Sequence, residues 1–128
     1  MPETVAWLRE NHPDREWRES GELTPDVFAG FDVVVASDVI EHLEDPQALL
    51  RALAASSVRE IVLSTPAREL LVERGHRRLG PPQNPHHYLE WSTGEFVRLV
   101  AEHLDVQSSG ISNAEQATQL VHARPPSR

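Results

Sequence analysis

The clearest pattern in the chain is the β-branched run within Phe31 to Ala36 (FDVVVA), which follows the break at Gly30. A β-branched run of this kind predicts a strand buried on both faces, and hence a parallel sheet. A second run, Glu60 to Thr65 (EIVLST), predicts another buried strand, stopped by Pro66. Between them Asp45 is placed to cap a helix and Pro46 to fill its first position. The helix predicted over 46–57 carries Leu49, Leu50 and Leu53 on one stripe, with Gln47 and Arg51 outward. Strand, helix and strand in this order form a right-handed crossover, so the two strands are parallel neighbours. Farther on, Ser92-Thr93-Gly94-Glu95 has capping-box spacing and opens a helix to about His103, with Phe96, Leu99 and Val100 inward. Leu104–Ser109 and Ala117–Ala123 read as two short strands, an antiparallel pair appended to the sheet. The fold class is α/β.

The remaining segments are more polar. Val5, Leu8 and, more loosely, Ala6 line one side of a helix over 3–11, ended by His12-Pro13. Residues 15–19 (REWRE) read as an edge strand with Trp17 turned inward. A short helix is predicted at 67–74. Residues 75–87 (GHRRLGPPQNPHH) form a long connection with two glycines and three prolines, and loops of that length are usually functional. The domain is expected to span 1–123, with 124–128 a frayed tail.

A length of 128 residues holds one domain with a modest core. There is no cysteine, which removes disulfides, thiolate nucleophiles and cysteine-based metal sites. All twelve basic residues are arginine, so Schiff-base chemistry and a P-loop lysine are excluded as well. Catalysis must come from His, Asp, Glu, Ser, Thr, Tyr or Arg. The net charge of -8 is unevenly spread: residues 1–64 hold thirteen acids and five arginines, residues 65–128 seven of each. That balance argues against general affinity for nucleic acid or anionic membranes. Only Arg68 to Arg78 is locally basic, through Arg68, Arg74, Arg77 and Arg78, and it suits an anion. No apolar run is long enough for a membrane span and no signal-peptide pattern opens the chain, so a cytoplasmic location is expected.

Ligands collect at the carboxyl ends of strands in an open parallel sheet. The first predicted strand runs directly into Asp38-x-x-Glu41-His42. On a helical turn these three share a face, which is oxygen-rich metal-ligand spacing with one nitrogen, suited to magnesium, manganese or zinc. His86-His87 forms a second cluster. Adjacent histidines point different ways, so one of the two at most faces a common site. His12, His76, His103 and His122 have no supporting neighbours and read as structural or solvent-exposed.

Taken together, FDVVVASDVIEHLEDPQALLRAL, EIVLSTPAR and GPPQNPHHYLEWSTGEF, with the closing strand pair, resemble the class I S-adenosylmethionine-dependent methyltransferases. The resemblance covers about residues 3–123 and implies a Rossmann-like, mostly parallel sheet. D-V-I-E-H-L is similar to the turn of ubiquinone-pathway O-methyltransferases and of small-RNA 3'-terminal 2'-O-methyltransferases. In the RNA enzymes a Glu-x-x-Glu-His turn and a later histidine before Phe-Glu-Trp bind a divalent metal. By position these match Asp38, Glu41, His42 and His87, with Asp38 in place of Glu, which implies magnesium or manganese. The Gly-Pro-Pro-Gln-Asn-Pro loop is closer to sugar and natural-product methyltransferases, which implies a small-molecule acceptor.

The family's first strand ends in a Gly-x-Gly-x-Gly loop that holds the cofactor, and an acid at the end of the second grips its ribose. None of the six glycines here, at 21, 30, 75, 80, 94 and 110, forms such a loop. The resemblance therefore implies the C-terminal part of the fold, incomplete at the N-terminus, as a truncated or split form. In the family sheet the two missing strands separate the third from the fourth. Their absence leaves 31–36 with an apolar edge to be covered by residues 15–19, by a dimer, or by a complementing chain. The expected chemistry is methyl transfer to oxygen or nitrogen. His42 or His87 is the candidate base, Ala36, Ser37 and Asp38 lie beside S-adenosylmethionine, and Ser20, Gly21 and the adjoining Glu19 and Glu22 lie near its adenine. Arg77 and Arg78 are placed to orient an anionic substrate. The alternatives are a methyltransferase-like binding module without turnover, a metal-dependent RNA methyltransferase-like site, and metal-dependent hydrolysis.

Overall fold

The computed structural model describes residues 2–19 and 21–127, Pro2 by its backbone alone. Helix α1 spans Pro2–Asn11, strand β1 Val33–Ser37, helix α2 Pro46–Ala54 and strand β2 Glu60–Pro66. Then come helix α3, Arg68–Glu73, helix α4, Thr93–Ala101, and strands β3, Asp105–Asn113, and β4, Thr118–Arg124. One four-stranded sheet has the order β1-β2-β4-β3. β1 and β2 are parallel, with Val35 opposite Val62, and β2–β4 and β4–β3 are antiparallel. The predicted crossover and C-terminal pair are both present.

The core lies on one face of this sheet. Leu49, Leu50 and Leu53 of α2 and Phe96 and Val100 of α4 pack on Ala36, Ile61, Leu63, Val121 and Ala123. Side chains alternate across a strand, so Val33, Val35, Val62, Leu120 and His122 point to the opposite face, and none of them is fully buried. Val33 is 54% and Val35 65% exposed. The expectation of a strand buried on both faces is thus corrected: the apolar run marks two faces made for burial, and the described residues cover only one. β1 also forms the edge of the sheet.

Residues 15–19 do not form the predicted edge strand. Trp17 Nε1 donates to the His12 carbonyl at 2.9 Å, and the Arg9 guanidinium donates to the Trp17 carbonyl at 3.0 Å. The segment therefore folds back on the end of α1, with the His12 ring between Trp7 and Trp17. Four charges in five residues leave it no apolar side to lay on a sheet. Arg18 reaches the ring of Phe31 at 5.6 Å, short of β1 itself. Two helix ends also differ from expectation. Asp45 does not cap α2 but pairs with Arg51 at 3.0 Å. That helix stops at Ala54, where the Ser56 hydroxyl takes the Leu53 carbonyl at 2.7 Å. α4 has the full predicted capping box between Ser92 and Glu95. Glu69 adds two bonds to Thr93, at 2.9 and 2.8 Å.

Candidate functional site

At the carboxyl end of β1 the chain reverses sharply. Asp38 adopts a left-handed backbone with φ 54°, a conformation that aspartate tolerates better than most residues. Its N–H still bonds to the Ser64 carbonyl of β2 at 3.0 Å. Residues 40–42 then make a single 3-10 turn anchored by Ile40, which is 1% exposed. Asp38 lies outside that turn, so the expected shared face of Asp38, Glu41 and His42 is not formed. Among the described residues, the group able to hold a metal ion is Glu41, His42 and His87, whose ligand atoms lie within 4.8 Å of one another.

His87 arrives from the long connection, which docks on the turn through two bonds. The Tyr88 N–H donates to the Glu41 carbonyl at 2.8 Å, and His42 Nδ1 meets the His86 carbonyl at 2.9 Å. A carbonyl only accepts, so His42 carries a proton on Nδ1, and in the neutral ring the lone pair is on Nε2. The two rings stand edge to face with centroids 4.7 Å apart. Of the two adjacent histidines only His87 joins the group; His86 serves through its backbone.

Glu41 has the most unusual surroundings. Its side chain is buried, and neither carboxylate oxygen has a hydrogen-bond partner. Burial pushes its carboxyl pKa up; the residue's own backbone N–H group opposes this, nearby Asp38 adds to it, and His42 and His87 oppose it. An orphaned buried carboxylate beside two imidazoles is an arrangement that a cation would complete. One carboxylate oxygen and two imidazole nitrogens form a donor set suited to manganese or zinc, and to magnesium with added water. The residues present fit a divalent ion, without Asp38 among the three.

Beneath this group lies a buried ion pair that the sequence did not reveal. Glu90, with a 1% exposed side chain, meets Arg68 at 3.2 Å and His87 Nδ1 at 2.7 Å. Arg68 also donates to the carbonyls of Arg77 at 2.7 Å and Gly80 at 3.3 Å, tying the start of α3 to the connection. Gln119, 1% exposed, fixes the return of that connection by donating to the Trp91 carbonyl at 2.9 Å. The signals were present as His87-x-x-Glu90 spacing and as the arginine just after STP, but neither shows its partner without the fold.

The methyltransferase-domain family model matches residues 3–120. The chain belongs to that family. Among curated protein sequences no significant match was found. Solved structures similar to this methyltransferase domain include the following three. The small RNA methyltransferase HEN1 aligns with TM-score 0.59 and 23% identity, over 77% of this chain and 14% of that one. The PH0226 protein from Pyrococcus horikoshii OT3 aligns with TM-score 0.59 and 15% identity, over 98% and 68%. Magnesium protoporphyrin IX methyltransferase from Synechocystis PCC 6803, with bound SAH, aligns with TM-score 0.50 and 19% identity, over 74% and 45%. At these identities the likeness is one of fold, here the class I methyltransferase fold. The domain spans only a small part of the HEN1 chain's length.

The residues expected beside the cofactor are spread over this methyltransferase domain. Ala36 points into the core, whereas Ser37 and Asp38 are exposed, with Ser37 Oγ 3.2 Å from Ser64 Oγ. Gly21 is exposed, Glu22 lies beside Asp45, Ala48 and Arg51, and Ser20 falls outside the described residues. Arg78 lines a cavity of about 550 Å³ with Arg68, Glu69, Val72 and Glu73, whereas Arg77 serves the connection through its backbone. Of the histidines read as structural or solvent-exposed, His122 pairs with Glu60 and His103 with Gln47. No helix among the described residues is long and apolar enough to cross a membrane.

Proposed function

We propose that this chain is the acceptor-side part of an S-adenosylmethionine-dependent methyltransferase, acting on a hydroxyl of a small molecule or sugar at Glu41, His42 and His87. The observation that carries the reading is the unpartnered buried carboxylate of Glu41 between two imidazoles. Glu41, His42 and His87 would hold a divalent ion, with Asp38 outside the set. Such an ion supplies Lewis acidity that lowers the pKa of an acceptor hydroxyl. The side chains themselves would hold that ion and, through their lone pairs, accept the hydrogen bond of the acceptor hydroxyl, which positions its oxygen for the sulfonium methyl. His42 Nε2 is the base in the absence of metal, taking the hydroxyl proton on its free lone pair. Metal-assisted activation favours an oxygen acceptor over nitrogen.

The cofactor fits these 128 residues only in part. Ala36, Ser37 and Asp38 offer one wall, and neither the Gly-x-Gly-x-Gly loop nor the ribose-binding acid is among them. The reading therefore assigns the main cofactor grip to residues beyond these, brought to the open edge of β1 by a separate stretch of chain. The same open edge favours a second reading, a binding module that pairs with a partner and does not turn over.

Calorimetric titration of the full chain with S-adenosylmethionine is expected to show no binding. Micromolar affinity would overturn the assignment of the grip elsewhere. Manganese is expected to raise Tm, and His87→Ala to abolish that rise. A variant that responds like its parent removes His87 from the site. With a complementing chain present, methyl transfer to sugar hydroxyls rather than to RNA 3' ends is the expected outcome. Complementation without turnover on either would favour the binding module.

A further inference from the structure

A histidine serves a ligand or base site only if the nitrogen facing that site lacks a proton, and which nitrogen this is depends on what the other one touches. At His87 two neighbours agree. Nδ1 lies 2.7 Å from Glu90 Oε2, an acceptor, so it carries the proton. Nε2 lies 3.3 Å from the side-chain nitrogen of Asn84, whose Oδ1 is already taken by the His86 N–H at 2.9 Å. The amide NH2 is therefore the end that faces Nε2, which must offer a lone pair. Glu90 is fixed in turn, because its other oxygen is held by Arg68 and its side chain is 1% exposed. Arg68 cannot give up its proton and can only donate.

We propose that Arg68 and Glu90 are a positioning pair that fixes the tautomer of His87, keeping its Nε2 unprotonated for the group it forms with Glu41 and His42. The inference rests on the reading of those three residues as the acceptor site and deepens it. Arg68 turns Glu90 by charge, Glu90 accepts the hydrogen bond from Nδ1–H, and the bonds from Arg68 to the Arg77 and Gly80 carbonyls hold the connection that carries His87. Neither Arg68 nor Glu90 needs to touch a substrate.

The test uses Glu90→Gln, which keeps shape and volume. Its single carbonyl oxygen must serve Arg68, so its NH2 faces Nδ1 and forces the proton onto Nε2. Long-range proton–nitrogen correlation spectra of the full metal-free chain read the tautomer directly. The expected result is Nδ1–H for His87 in the parent, Nε2–H in Glu90→Gln, and a return to Nδ1–H when Arg68→Met is added and the amide is free to turn. Manganese affinity is expected to fall at least about tenfold in Glu90→Gln, the usual effect of losing such a partner. If His87 keeps Nδ1–H in Glu90→Gln, or if Arg68→Met does not restore it, the pair does not set the tautomer and the inference is overturned. The tautomer decides this whether or not manganese binds. Absence of manganese binding by the parent would instead overturn the metal reading of the site. Should the double variant not fold, the single Glu90→Gln spectrum decides alone.

Discussion

The two faces of the sheet are made from the same four strands, yet they are finished differently. On the face under α2 and α4, Ile61, Leu63, Val121, Phe96 and Val100 are all at zero exposure. On the other, Val33 and Val35 stand in solvent, and α1 lies away from the sheet with Trp7 56% exposed. β-Branched residues were placed on both faces of β1, but helices on only one. Sequence chemistry and packing thus agree on the first face and part on the second, where the chain carries the apolar surface of an interface with nothing described to fill it.

Five changes test that contrast, starting with the largest effect. Phe96→Ala opens the covered face and is expected to cost about 3–5 kcal/mol in urea unfolding, whereas Trp7→Ala should stay within about 0.5 kcal/mol. Equal costs would mean that α1 packs as firmly as α4. Glu41→Gln, at the end of β1, removes a buried charge whose pKa is raised by burial. A carboxyl of this kind contributes stability that is full below the pKa of an unfolded glutamate and is lost as pH rises through the higher native value. The parent is therefore expected to lose stability across that interval, and Glu41→Gln to remain flatter and more stable at neutral pH in thermal melts. A parent curve that rises with pH over the same interval would contradict the burial argument.

Ser92→Ala removes a hydroxyl that accepts from the Glu95 N–H at 3.2 Å and should cost about 1 kcal/mol, less if the Glu69 bonds to Thr93 suffice as a cap. The smallest effect on stability is expected from Val35→Lys, within about 0.5 kcal/mol, because that side chain already meets water. Its consequence should appear in association. A lysine on an edge strand blocks pairing, so light scattering should show less self-association at high concentration than in the parent. An unchanged mass distribution would remove the β1 edge from consideration as a contact surface.

Much of the architecture was legible from the pattern alone. The crossover from β1 through α2 to β2, the capping box at Ser92 and the antiparallel closing pair follow from side-chain period and turn chemistry within a few residues. Residues 15–19 set a single tryptophan against four charges, too little apolar surface for an edge strand. Trp17 found its partners in His12 and Arg9 rather than in a sheet. Of the candidate site, the fold brings Glu41, His42 and His87 together, whereas Asp38, which the spacing also suggests, has a left-handed backbone and lies outside the turn. No period reports such a reversal, since it depends on how β1 meets β2 at Ser64.

The sequence by itself determined the family pattern, the chemistry open to a chain without cysteine or lysine, and the strands and helices that local preference can specify. Only the tertiary structure decided that Glu41 is buried without a partner, that His87 crosses a long connection to stand beside His42, and that Arg68 and Glu90 lie beneath them. The physical reason is range. Propensity and periodicity act over a few residues. The contact of His42 with the His86 carbonyl and of Arg68 with Glu90 joins groups about twenty to fifty positions apart in the chain, brought within hydrogen-bonding distance by the fold.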